Sequence, residues 1–255
     1  MLQEERFFNI IEYLKANGTA KLSQLAALNG VSVDTVRRDL ETLDGYGLLE
    51  RVRGGAVRKE ENMDRQISGM RTMVNGKEKA SLAEGVTQVV SEGETIILGS
   101  GTTAAEIAGA LARSYKRLTV ITNDMGVVQA LSPKEHFTVI VAGGILDPEE
   151  NATFGDQCEE EIRQYNADLC IISGSSLSPE KGVTDFRLDQ AEVFKAMLAS
   201  SARRVVAADH EKFLKSPACM NVCPVEDIHV ILTDKGLPPE TGELYEARGI
   251  RVIAS

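Results

Sequence analysis

Long hydrophobic runs are missing from this chain of 255 residues: no stretch approaches the roughly 18 apolar residues that a membrane-spanning helix needs. The N-terminus, MLQEERFFNIIEYL, mixes charges with its apolar residues and has no small-residue cleavage site, so no secretory leader is expected. Cysteine and histidine are scarce. Four Cys, at 158, 170, 219 and 223, follow no framework spacing, and three His, at 136, 210 and 229, are scattered. A zinc site would show tighter pairs than the C-x3-C of Cys219 and Cys223, or histidines close by. The expectation is a cytoplasmic protein with reduced thiols, no metal and no cofactor. Low-complexity tracts are absent too. With 43% apolar and 26% charged residues, a chain of this length can bury a core without staples.

Positive charge is also in deficit. The net charge of −10 argues at first against a polyanionic partner. Its distribution changes the argument. Residues 1–59 hold 9 Lys/Arg against 8 Asp/Glu, a balance of +1, and the remaining 19 against 30 give −11. The acidity belongs to the C-terminal part, and the first sixty residues are judged separately.

In that first part, Phe7, Ile10, Ile11 and Leu14 recur at helical spacing before Asn17-Gly18. A shorter helix fits Lys21–Leu28 and ends at Asn29-Gly30. A third starts at Ser32, a good N-cap, and runs to about Asp44, with Gly45 and Gly47 closing it. LLERVRGGAVRK then alternates apolar and charged residues around Gly54-Gly55, a hairpin pattern. Three short helices and a two-stranded wing make a winged helix-turn-helix. At 100° per residue, Val33, Val36, Leu40 and Leu43 of the third helix face the core. Arg38, Thr42, Asp34 and Thr35 lie opposite, with Arg37 at the flank. The N-terminal residues of such a helix reach base edges in a major groove, so Ser32, Thr35 and Arg38 are the base-reading candidates. Arg37 suits a phosphate. Arg51, Arg53, Arg58 and Lys59 flank Gly54 and Gly55, where glycine admits close approach to a sugar–phosphate track. The competing reading makes the Arg37-Arg38 pair a solvated face tied to Asp34, Asp39 and Glu41.

Residues 60–76 read as a linker. Beyond it, strand candidates at 95–98, 118–122, 138–142, 168–173, 204–208, 229–233 and 250–254 alternate with helical segments such as 104–112 and 189–202. That alternation implies a mostly parallel sheet covered on both faces. TIILGSGTTAAEIA, 95–108, ends a buried strand in glycines and hydroxyls and opens a helix, which makes an anion site. It is neither a Walker A nor a G-x-G-x-x-G loop. Asn123, Gly143, Thr184, Asp209 and Lys212 fall just past other strands, where ligands of open α/β sheets bind.

SVDTVRRDL, followed by L-x-x-x-G-x-L-x-R-V-R-G-G-A, resembles the N-terminal signature of the DeoR family of bacterial transcriptional regulators over residues 3–57. Many members have His where Arg53 stands. EGETIILGSGTT, LTVITND, VAGG, KGVT and ADHEKF are similar to successive blocks of that family's effector domain over residues 77–255. The resemblance implies domains at 1–59 and 77–255, the second resembling ribose-5-phosphate isomerase and sensing a phosphorylated sugar. It also implies that Ser100, Gly101, Thr102 and Thr103 hold the phosphate while Asn123, Thr184 and Lys212 line the rest. Two departures stand out: Gly99 replaces an Asp common before S-G-T-T, and SGSS at 173–176 replaces G-A-D-G, removing a carboxylate.

The reading is a sequence-specific DNA-binding regulator, a repressor of carbohydrate genes, not an enzyme. It works as a homo-oligomer on a duplex operator and is controlled by a sugar phosphate. Two alternatives stand beside it. One is a sugar-phosphate isomerase with an appended head, using Asp209 or Asp124 as base. The other is a protein-interaction module.

Overall fold

The structure, a computed structural model, describes residues 3–45, 48–58 and 75–255. It has two compact units, residues 1–74 and 75–255. The linker expected at 60–76 lies outside the described residues except for its last two, and so do Gly47 and Lys59.

The first unit runs α1 (Gln3–Asn17), β1 (Thr19–Lys21), α2 (Leu22–Asn29), α3 (Val33–Gly45), β2 (Leu49–Val52) and β3 (Gly55–Arg58). Its core is the apolar stripe of α1, Phe7, Ile10, Ile11 and Leu14, packed on Leu25, Val36, Leu40 and Leu43. Burying each large aliphatic side chain of that set contributes about 1.5–3 kcal/mol. Val33 departs from expectation. It is 40% exposed, because the first residue of α3 lies beyond the reach of the core. The wing differs as well. It is a three-stranded sheet, β1-β3-β2, since Thr19–Lys21 pairs antiparallel with β3. Three residues between two helices carry no strand periodicity, so only the free edge of β3 makes them a strand.

The second unit continues with α4 (Gly76–Glu84), β4 (Thr95–Leu98), α5 (Thr102–Ser114), β5 (Thr119–Thr122), α6 (Met125–Leu131), β6 (Thr138–Val141), β7 (Ile145–Asp147) and β8 (Ala152–Phe154). Then come α7 (Asp156–Ile162), β9 (Ala167–Ile172), β10 (Ser176–Ser178), β11 (Gly182–Asp185), α8 (Leu188–Ala199), β12 (Ser201–Ala207), β13 (Met220–Cys223), β14 (Val230–Thr233), α9 (Pro239–Glu246) and β15 (Arg251–Ala254). The seven strands anticipated from the sequence form one parallel sheet in the order β15-β14-β12-β9-β4-β5-β6.

Alternation along each strand sends side chains to opposite faces. Ile97, Cys170 and Val206 pack with Cys158 and Ile162 of α7, Phe194 and Met197 of α8, and Tyr245 of α9. Ile96, Leu98, Leu169 and Val205 pack with Leu82 of α4, Ile107 and Leu111 of α5, and Val127 and Leu131 of α6. Both faces are therefore covered, as the near-continuous apolar strands require. The helix expected at 189–202 ends at Ala199, and Ser201 instead enters the ladder opposite Ala167. The small antiparallel sheets, β7-β8 and β10-β11-β13, have no counterpart in the sequence reading.

The order places a switch point. From β4 the chain winds outward through β5 to β6, and from β9 it winds the other way through β12 and β14 to β15. The crevice beyond the carboxyl ends of β4 and β9 is where such sheets bind ligands.

Candidate functional site

The head presents α3 with Arg37 and Arg38 exposed. Arg37 Nη1 lies 2.5 Å from Asp34 Oδ1, an exposed pair of small worth. None of the salt bridges among the described residues includes Arg38 or Arg53. Ser32 caps α3: its Oγ accepts the Thr35 N–H at 3.1 Å and lies 2.9 Å from Thr35 Oγ1. Two of the three base-reading candidates are thus bonded to each other at the start of the helix. Arg51 meets Glu41 at 3.1 Å. The acid of the R-R-D run points elsewhere. Asp39 is buried and accepts from Arg6 Nε at 2.7 Å and Nη2 at 2.9 Å, which fastens α3 to α1 and raises the guanidinium pKa. The expected tie of Asp39 to the arginine pair is replaced by this one. Spacing along one helix could not disclose a partner 33 residues away.

The wing glycines divide their work. Gly54 is exposed at φ +89°, a turn conformation that suits glycine. Gly55 is buried, and a Cβ there would lie 1.9 Å from the Ala20 carbonyl oxygen. Its small size serves the close approach of β1, whereas the sequence reading assigned it to DNA. Lys21, Gln24, Tyr13 and Arg53 line a cleft of about 450 Å³ beside the wing.

In the second unit, Ser100–Thr103 occupy the switch point. Gly99 N–H bonds Ile171 O across it at 2.9 Å. Ser100 is buried, and its Oγ has no partner among the described residues. Gly101, at φ +111°, precedes the first turn of α5, where Thr102 and Thr103 are buried. The amide of Gly101 is already engaged, donating to Asp124 Oδ2 at 2.9 Å. Asp124 Oδ1 in turn accepts the Val127 N–H at 2.9 Å and caps α6. Burial pushes the Asp124 carboxyl above the usual range, against the pull of its amide donors. An Asp ahead of a helical Val127/Leu131 spacing is a readable cap signal; its reach to Gly101 is not.

The other candidates spread along the strand ends. Asn123 is fully buried; its Nδ2 donates to Thr153 O at 2.7 Å and its Oδ1 is unpaired among the described residues. Gly143 follows β6, and its N–H bonds Glu161 Oε2 at 2.8 Å. Asp209 follows β12, is buried, and accepts from Asn75 Nδ2 at 3.1 Å. The same Nδ2 reaches Glu211 Oε2 at 3.0 Å, so Asn75, which the sequence reading missed, orders the loop carrying Lys212. From β12 to β6 is four strand spacings, about 19 Å, wider than one phosphorylated sugar. Gly143 therefore stands apart from the rest. Thr184 lies inside the small sheet, bonded to Ser176 Oγ at 2.8 Å and to the Ala218 N–H at 2.8 Å.

Both sequence departures have local partners. A Cβ at position 99 would lie 2.8 Å from Phe194 Cε1, so the aromatic ring fills the space a larger residue would need. Ser175 Oγ donates to Asp185 Oδ2 at 3.2 Å; a carboxylate is present beside SGSS, supplied by β11. A separate cavity of about 730 Å³ opens among Gly155, Glu159, Arg187, Leu188 and Glu192. Arg187 is already held by Asp147, Glu150 and Asp189, and the acidic rim does not suit a phosphate.

Comparison with known proteins matches residues 6–62 to the DeoR-like helix-turn-helix domain and residues 74–235 to the DeoR C terminal sensor domain. The transcriptional repressor AccR of Agrobacterium fabrum is 34% identical over 91% of this chain and 90% of its own. A putative aga operon transcriptional repressor of Escherichia coli O157:H7 is 30% identical over 98% and 93%. The glycerol-3-phosphate regulon repressor of Escherichia coli K12 is 28% identical over 93% of each chain. Among solved structures, ribose 5-phosphate isomerase A from Neisseria gonorrhoeae aligns at 18% identity, with a TM-score of 0.39, over 53% of this chain and 52% of that one.

Proposed function

Since the chain belongs to the DeoR family of transcriptional regulators, we propose that it is a cytoplasmic, sequence-specific repressor of carbohydrate genes released by a phosphorylated sugar. The observation that carries this reading is the joining, in one chain, of an arginine-bearing winged head to a sensor domain with a buried hydroxyl, unbonded among the described residues, at its switch point. Arg38 and Thr35 read base edges while Arg37, Arg51 and Arg53 hold phosphates. Ser100, Thr102 and Thr103 receive the phosphate of the effector, with Lys212 facing its charge. The named relatives are repressors, two of them of an aga operon and a glycerol-3-phosphate regulon. Those targets support a carbohydrate ligand without naming it.

The chain acts as a homo-oligomer, because one small head reads few base pairs and paired heads match a repeated half-site. The ligand works by binding the operator-competent and incompetent arrangements unequally. The acidic sensor domain repels the duplex and confines contact to the heads. The regulator reading is favoured over the isomerase one by the hydrogen bonds that engage the two acids offered as bases, Asp124 with Gly101 and Val127, and Asp209 with Asn75.

The test is binding to the DNA beside its own gene across a salt series, followed by a melting-point screen against phosphorylated sugars. A steep negative slope of log affinity on log salt and a sugar phosphate that raises the melting point are expected. A salt-independent or absent interaction with DNA, or turnover of sugar phosphates by the pure protein, refutes it.

A further inference from the structure

We propose that Asp124 is a resident competitor for the anion at the Ser100–Thr103 turn, so that a ligand fills the turn only as this carboxylate takes up a proton or leaves Gly101. The proposal rests on the effector reading above and adds a regulatory residue to that site.

The turn holds two kinds of anion-binding group in different states. Ser100 Oγ is buried with no partner among the described residues. The Gly101 amide, next along the chain, is bonded to Asp124 Oδ2 at 2.9 Å. A tetrahedral anion on the N-terminus of α5 takes the hydroxyl and the free amides of that first turn. It then meets the Asp124 oxygen on the one amide already used. Asp124 is 4% exposed, so solvent does not screen the two negative charges from each other.

No cation offsets it, because no salt bridge among the described residues includes Asp124. Its contacts from α5 and α6 are backbone amides, of Gly101, Gly126 and Val127. The charged group facing it from the connection between β7 and β8 is Glu150, a second negative charge whose own partner is Arg187 at 2.9 Å. The carboxylate therefore takes the amide that a bound anion would use, and it opposes any anion seated on the turn. Ligand binding draws in a proton, and affinity falls as pH rises.

The probe is sulfate, whose double charge is constant over the pH range used, titrated into the full chain and read by melting point and calorimetry. Asp124→Asn and Asp124→Ser both keep an acceptor for the Val127 N–H, so α6 stays capped. Asp124→Ser is also too short to reach Gly101. The wild type should lose sulfate affinity, roughly tenfold or more, between about pH 5.5 and about pH 8. Both variants should bind more tightly than wild type at the upper pH and show a much flatter dependence. Variants that fold but bind sulfate with the wild-type affinity and pH slope, or lose it, overturn the competitor role while leaving the turn an anion site. If the wild type and both variants take up no sulfate at either pH, the turn is not an anion site, and the effector reading falls together with the proposal.

Discussion

Arg38 and Asp39 are neighbours with opposite destinies. One is exposed and outside every described ion pair; the other is buried against Arg6. Their substitutions should therefore fail differently. Arg38→Ala is expected to leave the melting point of the head unchanged and to relax discrimination at one base pair by about 1–3 kcal/mol, read by binding to single-position operator variants. An equal loss on every sequence would make Arg38 a phosphate contact. Asp39→Ala removes two charge-assisted hydrogen bonds from a half-buried guanidinium and should cost about 2 kcal/mol of stability, seen as an early unfolding transition of the head. DNA affinity would then fall only in proportion to the unfolded fraction. The pattern R-R-D made both residues visible; a rotation of 100° between adjacent positions separated their roles.

At the scale of elements, the wing depends on a contact between a glycine and a strand. Gly55→Ala puts a Cβ against the Ala20 carbonyl and should pry β1 from β3, destabilising the head by about 1–3 kcal/mol, measured by denaturant unfolding. An unchanged midpoint would mean that β1 is dispensable. The parallel sheet makes its own prediction through cysteine. Burial pushes the thiols of Cys158 in α7 and Cys170 in β9 up to about 11, and that of Cys223 in β13 up to about 12. Cys219 is exposed. A thiol-alkylating reagent at neutral pH should modify Cys219 alone in the native protein and all four residues in denaturant. Early labelling of Cys170 would show that the sheet opens readily.

For the whole molecule, the expected coupling runs between the strand-end crevice and the DNA-binding head. Thr102→Ala and Lys212→Ala should leave operator affinity intact while abolishing release by the sugar phosphate, measured as operator affinity with and without ligand. Both changes touch only the ligand-dependent arm of the equilibrium. Variants that still release DNA normally would move the ligand away from the switch point. Fold and site were unequally legible at this scale. Each of the seven strands showed as a short β-branched run, and for the five inner ones the reason is that a strand buried on both faces has little freedom in composition. The spread of the site was not legible. Gly143 and Asp209 follow similar strands in the sequence, yet lie about four strand spacings apart in the sheet.

Sequence alone determined the three head helices, the seven strands of the parallel sheet, the split of charge between head and sensor, and the hydroxyl–glycine turn, because these rest on local periodicity, local composition and conformations that few residues adopt. Tertiary structure decided the rest. It joined Thr19–Lys21 to the wing, gave Asp39 to Arg6, brought Asp185 beside Ser175, and set the Asp124 carboxylate on the Gly101 amide. Each of those pairings joins groups separated along the chain by at least ten residues, at a distance fixed only once the strands have chosen their neighbours.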